Sequence, residues 1–547
     1  MADFSLRLPA AWKLHSAGKR RLSRPLTLLS SLVVAFVAVP LIYIFYRAVT
    51  GGGDVWLRLA QARLLNLMVN TLGLTIAVTT CTVVLGVSLA WLTERTDLPG
   101  RRIWRWLLAM PLAIPTYIGA VVHLALLRPR GGILPQFLSG IFGVPVSTPS
   151  PFGFWGATFI LTLFMYPYVY LLSAAAFRSI HATLEEVARS LGHGVLGTLW
   201  RVTLPMLKPG ISAGALLVVL DILAEYGTVA LLRYETFSAA IFLQLSGRYD
   251  RAAASVLSGV LVLIALLVLL GEIRLQGQAR FYQISGSWRP ARTIALNTWR
   301  LPATLAVFGV TAMALFVPLV MLLVWSAAAL ADPHSLTTNF RTGTQGLGTF
   351  AWNSLWSSGL AAALAVLLSL PVALMAVRYP RRLTRLFSRL CQVGYALPGV
   401  VVALSMILLV NRYLPFLYAT PLVVVMAYVL RHMPQAVRAS EAALAQLSPT
   451  LEEAAQSLGR TSLKTFLEVT LPIILPGLMA GGALVFLTSL KELPATLLLR
   501  PAGFDTLAVR VWIWAEEGIH LQAAPAALLL ILAAAGPLYF LLKRERL

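Results

Sequence analysis

The sequence predicts an all-α polytopic membrane protein of about twelve transmembrane helices, built as two parallel six-helix halves. Three observations predict it: a composition suited to lipid, twelve apolar stretches of spanning length, and an internal duplication.

Of the 547 residues, 58% are apolar and 12% charged, whereas soluble domains are roughly 45–50% apolar and about 25% charged. Such a chain needs hydrocarbon as its solvent. A helix crosses a ~30 Å hydrocarbon layer in about 20 residues, and twelve stretches meet that need. Six lie near 26–46, 69–92, 104–127, 154–176, 210–232 and 254–271, and six near 303–326, 352–377, 392–410, 417–437, 477–499 and 523–542. Prolines 111, 115 and 421 interrupt the third and tenth.

A net charge of +23 raises the question of nucleic acid, because basic patches bind phosphate. The distribution answers it. With the N-terminus in the cytoplasm, most of the 44 Lys and Arg fall in loops on that side, twelve lie on the other, and Lys491 lies in a helix. That asymmetry is the positive-inside rule. The basic start (Lys19, Arg20, Arg21, Arg24) resembles a signal peptide, but the apolar run after it is too long and lacks a small-residue cleavage site, so it is expected to remain as the first span. Cys81 and Cys391 fall in apolar stretches and no CxxC is present, which argues against a disulfide frame or a soft-metal site.

The duplication sets the architecture. Residues 183–237 align without a gap on 450–504, with 27 identities in 55 positions; apolar segments unrelated by descent would share ~5–8, given how few residue types fill membrane helices. Upstream, Asn70-Thr71-Leu72 matches Asn353-Ser354-Leu355, Ala113-x-Pro115 matches Ala396-x-Pro398, and Pro167 matches Pro434. The offsets change only in loops, and about sixteen extra residues sit within 128–151 of the first half, where insertions are tolerated. Six spans is an even number, so both copies enter the membrane alike and form a parallel pair about an axis along the membrane normal. The domains follow: residues 1–271 form the first half, 272–301 a polar cytoplasmic linker with Arg274, Arg280, Arg289, Arg292 and Arg300, and 302–547 the second half.

One cytoplasmic loop in each half, 178–209 and 438–476, carries the strongest motif. The second reads Glu453-Ala454-Ala455, three residues, Gly459, nine residues, Val469-Thr470-Leu471-Pro472; the first reads Glu186-Val187-Ala188, Gly192, then Val202-Thr203-Leu204-Pro205. Thr183-x-x-Glu186 and Thr450-x-x-Glu453 are capping-box patterns, each expected to open a short helix. Gly192 and Gly459 suit left-handed C-caps. The product is a small capped helix outside the membrane, able to seat in a groove and pass on rigid-body motion.

These two loops resemble the EAA loop of ABC-importer permeases (EAA, three residues, G, nine residues, I-x-L-P), and Val187 departs from that consensus. The resemblance implies the type I ABC importer permease fold in a bacterial cytoplasmic (inner) membrane. It implies as partners two copies of an ATP-binding subunit and a periplasmic substrate-binding protein, besides the lipid bilayer, with no nucleic acid. It assigns Glu185, Glu186, Ala188 and Gly192, with Glu452, Glu453, Ala455 and Gly459, to contact with the ATPase. ATP and Mg would belong to that partner, and no cofactor to this chain. The nearest approach to a phosphate loop, Gly459-x4-Lys464-Thr465, lacks its second glycine because Leu463 stands there. No nucleophile and base are paired on a soluble element, so this is read as a transport subunit and not an enzyme.

Ionisable residues within spans are costly, at least ~2.5 kcal/mol for Asp, Lys or Arg near a helix centre, and tend to face a cavity or a partner. The fifth span of the first half carries Asp221 and Glu225, and that of the second Lys491 and Glu492. Glu225 and Glu492 are repeat equivalents, and Asp221, four residues before Glu225, shares its helical face. Asp221, Glu225 and Glu492, with Lys491 offsetting one acid, are expected to line a translocation path; the alternative is an ion-pair cluster that holds the halves together. Arg233 and Arg500, also equivalents, are candidates to meet acidic residues of a binding protein, or to serve as interfacial anchors.

The run Ser489-Leu-Lys-Glu-Leu-Pro-Ala-Thr-Leu-Leu-Leu-Arg-Pro-Ala-Gly-Phe-Asp-Thr-Leu-Ala and the run Leu223-Ala-Glu-Tyr-Gly-Thr-Val-Ala-Leu-Leu-Arg are similar to the ferric-iron subgroup of these permeases. That implies iron(III) as cargo. Oxygen-rich acids suit a hard cation without singling out iron, and the metal ligands stay unassigned. Thiamine, polyamines and phosphonates are the alternatives within the class. An ion-coupled secondary transporter would explain the duplication and the acids but not two EAA loops.

Overall fold

The computed structural model describes residues 24–50, 53–129, 131–180, 182–276, 293–331 and 346–544, and these are helical apart from turns, loops and one parallel bridge between Thr96 and Ile294. Among them nine helices are long and apolar enough to cross a membrane, and Arg101–Ala113 with Thr116–Leu127, bent by 96°, makes a tenth span if taken together. Two of the twelve expected spans take other forms. The stretch 392–410 becomes the 15-residue helix Gly399–Tyr413. The stretch 417–437 becomes Pro421–Ala445, long enough at 25 residues but carrying Arg431, His432, Arg438 and Glu441.

The third span breaks in both halves for the same reason. Pro115 and Pro398 lack an N–H and push the residue before them out of helical conformation. Ile114 and Leu397 are accordingly extended, after the single 3₁₀ turns Met110–Ala113 and Val393–Ala396. In the second half the segment before the break, Arg382–Gln392, is strongly amphipathic and carries Cys391, so that cysteine lies on a short basic helix beside the expected span rather than within one.

Within each half the second and fourth helices lie along each other. Leu65–Arg95 meets Phe154–Ser179 through Gly86, where an added Cβ would fall 2.9 Å from the Tyr170 nitrogen. Leu347–Arg378 meets Pro421–Ala445 through a 2.8 Å contact between the Ser369 and Ser440 hydroxyls. Small residues and hydroxyls suit helix packing in lipid, where apolar surface alone gives no preference for protein over tails.

The opposite ends of these second helices are tied alike. Asn70 Nδ2 donates to Glu235 O at 3.1 Å and Thr71 Oγ1 accepts the Phe237 N–H at 3.1 Å. Asn353 Nδ2 donates to Asp505 O at 3.0 Å and Ser354 Oγ accepts the Leu507 N–H at 2.8 Å. The Asn-Thr and Asn-Ser pairs noted in the sequence therefore do one job twice.

The first helix of each half packs on its own half and also reaches across to the other. Arg24–Thr50 packs on Leu347–Arg378, Arg382–Gln392 and Gly399–Tyr413 of the second half, while Val317–Ala331 packs on Thr116–Leu127 of the first. At the centre the Trp512 ring meets Tyr117 and Tyr226 at centroid distances of 6.5 and 5.2 Å. The end of the linker returns to the first half beside its second helix. Leu296 N–H and Arg300 Nη2 reach the Asp97 carboxylate at 2.8 and 2.5 Å, and that backbone bond, reinforced by Arg300, holds the Asp97 carboxyl below its usual range. Arg280, Arg289 and Arg292 of the linker, like Lys19, Arg20 and Arg21, lie outside the described residues.

Candidate functional site

Each EAA loop opens with a short helix, Ala182–Ser190 and Pro449–Ser457. In the second copy the cap is Ser448 rather than the expected Thr450: the serine hydroxyl accepts the Thr450 N–H, and Pro449 occupies the first turn, where its missing N–H costs nothing. Both helices end as expected on a left-handed glycine, Gly192 at φ +86 and Gly459 at φ +87. Beyond them His193 N–H donates to Ala188 O at 3.1 Å and Arg460 N–H to Ala455 O at 3.2 Å, the wrapped ending of a Schellman cap. A five-residue π turn follows in each, Leu199–Thr203 and Phe466–Thr470, leading into the fifth helices Leu204–Ala224 and Leu471–Leu490. Pro205 and Pro472 cannot supply the next helical N–H, and a wide turn accommodates that loss.

A Cβ on Gly459 would meet nothing within 4 Å, so Gly459→Ala carries backbone strain alone, about 1–2 kcal/mol for a left-handed residue. We expect Gly459→Ala to raise protease cleavage within 456–462, and Gly459→Asn to do so less, because asparagine tolerates the conformation. Equal behaviour of the two variants in limited proteolysis would show the conformation to be dispensable.

The paired glutamates of each motif divide. Glu186 and Glu453 point outward and are exposed, whereas Glu185 and Glu452 are buried. Glu185 Oε1 lies 3.2 Å from Arg95 Nη2 and accepts the Thr203 hydroxyl at 3.1 Å. Glu452 Oε1 accepts from Arg378 Nε at 3.1 Å and Nη2 at 2.9 Å, and from the Thr470 hydroxyl at 3.2 Å; Arg378 Nη2 also reaches Leu447 O at 3.2 Å. Each clasp joins three elements: the end of the second helix (Arg), the short helix (Glu) and the π turn (Thr). Ala188 is buried and Ala455 half-buried, while Gly192 and Gly459 are exposed. Leu191 and Leu458, repeat equivalents just before the glycines, are among the most exposed apolar residues at 74% and 85%. Arg95 and Arg378 escaped the sequence reading, although the 283-residue offset that pairs Asn70 with Asn353 pairs them too.

The four ionisable residues of the fifth spans lie where those spans break. The helices stop at Ala224 and Leu490, and the short helices Gly227–Leu231 and Pro494–Leu499 follow after two or three residues. The continuous spans expected over 210–232 and 477–499 are thus interrupted, Gly227 and Pro494 marking where each restarts. Glu225 Oε1 accepts the Thr228 N–H at 2.8 Å and Oε2 the Thr116 hydroxyl at 3.0 Å. Glu492 Oε1 accepts the Ala495 N–H at 3.3 Å, and its other oxygen pairs with Arg431. Both acids therefore cap the N-terminus of the helix after the break, a position where negative charge is favoured.

Lys491 Nζ crosses between the halves to donate to Leu112 O at 2.8 Å, in the broken third span of the first half. Asp221 bonds Tyr168 and faces the charges of Arg431 and Lys491. Arg431 is the member of this cluster missed in the sequence, where it stands as a cation within an expected span. A Cβ on Gly399 would collide with both Arg431 and Glu492, so the glycine makes room for their pairing. Thr116, at the equivalent place in the first half, uses its hydroxyl instead.

Arg233 is exposed, sits at φ 54 and stacks over the Phe152 ring at 5.2 Å. Arg500 is paired with Asp505, which also holds Arg510 Nη2 at 2.5 Å. Among the described residues no group of three or more His, Cys, Asp or Glu side chains is placed to hold a metal ion.

The family described as binding-protein-dependent transport system inner membrane component matches this chain twice, at residues 97–274 and 365–543. An Fe(3+)-transport system permease protein of Haemophilus influenzae is 34% identical over 521 residues, covering 95% of this chain and 98% of its own length. A ferric transport system permease protein of Actinobacillus pleuropneumoniae is 24% identical over 93% of this chain and 76% of its own. A sulfate transport system permease protein of Synechococcus elongatus is 28% identical over 42% of this chain and 83% of its own.

Proposed function

We propose that this chain, which belongs to the family of binding-protein-dependent transport system inner membrane components, carries iron(III) handed over by a periplasmic binding protein. Two relatives matched over more than nine-tenths of this chain are named as ferric or Fe(3+) transport permeases. It is the permease subunit of an ATP-driven importer, and ATP with Mg resides on the partner ATPase. The observation that carries the mechanism is the duplicated clasp: two short helices at one end of the molecule, each locked by a buried Arg–Glu–Thr set to a membrane helix and to the start of the fifth span.

Two ATPase copies would dock, one per helix, on the exposed side: Glu186 and Glu453 supply charge, Leu191 and Leu458 an apolar plug, and Gly192 and Gly459 the turn. Glu185, Glu452 and Ala188 act from behind, as positioning residues. When the ATPases close, a helix that is clasped rather than tethered moves the π turn and fifth span with it as one body. That motion reaches the breaks at Glu225 and Lys491–Glu492, where Asp221, Glu225, Lys491 and Glu492 would border the route. Opening it separates Lys491 from Leu112 O, a contact across the halves. Arg233, on the face opposite the short helices, would meet the binding protein with Arg500, whose charge is shared with Asp505. The N-terminus would be cytoplasmic.

Proteoliposomes holding this permease with its ATPase and internal ATP, given radio-labelled iron(III) on the cognate binding protein, are expected to accumulate iron only while ATP is hydrolysed. Accumulation of thiamine but not iron would overturn the cargo. Uptake on an ion gradient without the ATPase would overturn the class.

A further inference from the structure

We propose that the insertion peculiar to the first half is an interfacial anchor, its helix Ile133–Phe142 lying in the headgroup region of the bilayer on the face opposite the short coupling helices. Its side of the membrane follows from connectivity: the helix Phe154–Ser179 runs from this insertion at one end to the coupling helix at 182–190 at the other. At 26 residues and 1.5 Å each it is long enough to span the hydrocarbon.

The helix carries an apolar stripe left exposed among the described residues. Ile133, Phe137 and Ile141 recur every four residues and therefore share one face. Phe137, Ile141 and Phe142 are 61–65% exposed, and Val144 continues the patch. Between Gly131 and Pro151 there is no Asp, Glu, Lys or Arg, while Arg128 and Arg130 stand just before the segment. A binding-protein dock would be expected to carry charge at its rim; an uncharged amphipathic helix with basic residues flanking it suits lipid and its phosphates.

The stripe is held in place. Gly132 N–H donates to Arg128 O at 3.0 Å, the Ser139 hydroxyl accepts the Val146 N–H at 2.8 Å, and the Thr148 hydroxyl donates to Leu127 O at 2.6 Å. The returning loop is thereby pinned to the end of the span Thr116–Leu127. The next span also presents exposed apolar side chains at its start, Trp155 (78% exposed) and Phe159. The second half lacks the insertion but presents exposed aromatics at the corresponding turn, Tyr413, Phe416 and Tyr418, and aromatic side chains concentrate at membrane interfaces.

The test uses the full chain in lipid nanodiscs, with Cys81 and Cys391 replaced and a single spin label at 137, at 141, or at 457 on the exposed side of a coupling helix as an aqueous reference. Power saturation with oxygen, which partitions into lipid, and with a water-soluble nickel chelate is expected to give an oxygen-to-nickel accessibility ratio several-fold higher at 137 and 141 than at 457. Addition of the binding protein should leave it unchanged. Nickel accessibility at 137 and 141 equal to that at 457 would overturn the anchor, as would protection that appears only with the binding protein.

Discussion

Arg378→Ala is expected to abolish ATP-driven uptake while leaving the transmembrane core folded. Arg378 and Glu452 are both nearly excluded from solvent, at 7% and 10% side-chain exposure. Removing one partner of such a pair costs about 3–5 kcal/mol, because the other charge is left buried and uncompensated. At ~1.4 kcal/mol per factor of ten, the ratio of clasped to unclasped helix falls by a hundredfold or more. The helix Pro449–Ser457 then stays attached only through its chain ends, and ATPase closure moves it without moving the fifth span. Uptake should fall accordingly, with ATPase activity less affected. Arg95→Ala should do less, since Arg95 Nη2 stands 3.2 Å from Glu185 Oε1 where Arg378 closes on Glu452 Oε1 to 2.9 Å. The double change Arg378→Met with Glu452→Leu removes both charges and should regain part of the uptake. Uptake by Arg378→Ala equal to wild type, or no rescue by the double change with the helix still resistant to protease, would show that the clasp does not carry the coupling.

The clasp also marks the boundary of what the sequence can say. The duplication was legible because 183–237 and 450–504 retain the same residues in register, and the short helices because caps and glycines are local signals. Glu185 and Glu186 stand side by side in the motif, and only the fold separates them into one buried and one exposed carboxylate. The partner of Glu185, Arg95, is 90 residues away, and no periodicity links the two. The breaks in the fifth span were hidden differently. Hydropathy runs on past Ala224 and Leu490 because the chain stays apolar; what ends each helix is a backbone turn stabilised by a glutamate reaching forward three residues. Pro494 signalled one break, while Gly227 alone is too common a residue in membrane helices to signal the other. The third span of the first half is the easier case, since Pro115 announces its bend, whereas the equivalent Pro398 opens a helix of only 15 residues.

Those two glutamates give the remaining prediction, that one substitution at equivalent positions has unequal results. In Glu225→Gln the amide oxygen can still accept the Thr228 N–H, and the Thr116 hydroxyl can turn to accept from the amide nitrogen; the change should cost ~1 kcal/mol or less. In Glu492→Gln the cap to Ala495 can also persist, but Arg431 loses its direct counter-charge in a site only 16% exposed for its own side chain. The cost should approach ~3 kcal/mol, the lower end for a broken buried pair, because Asp221 of the other half still answers part of the charge. Thermal unfolding in nanodiscs should therefore show Glu225→Gln close to wild type and Glu492→Gln clearly lowered, with Arg431→Met restoring the latter. Equal losses in both would mean that Arg431 does not depend on Glu492. The inequality makes Glu225 the better probe of the route. A Glu225→Gln protein that assembles, hydrolyses ATP and fails to import would place that carboxylate on the path, and one that imports normally would leave it as the cap of a five-residue helix.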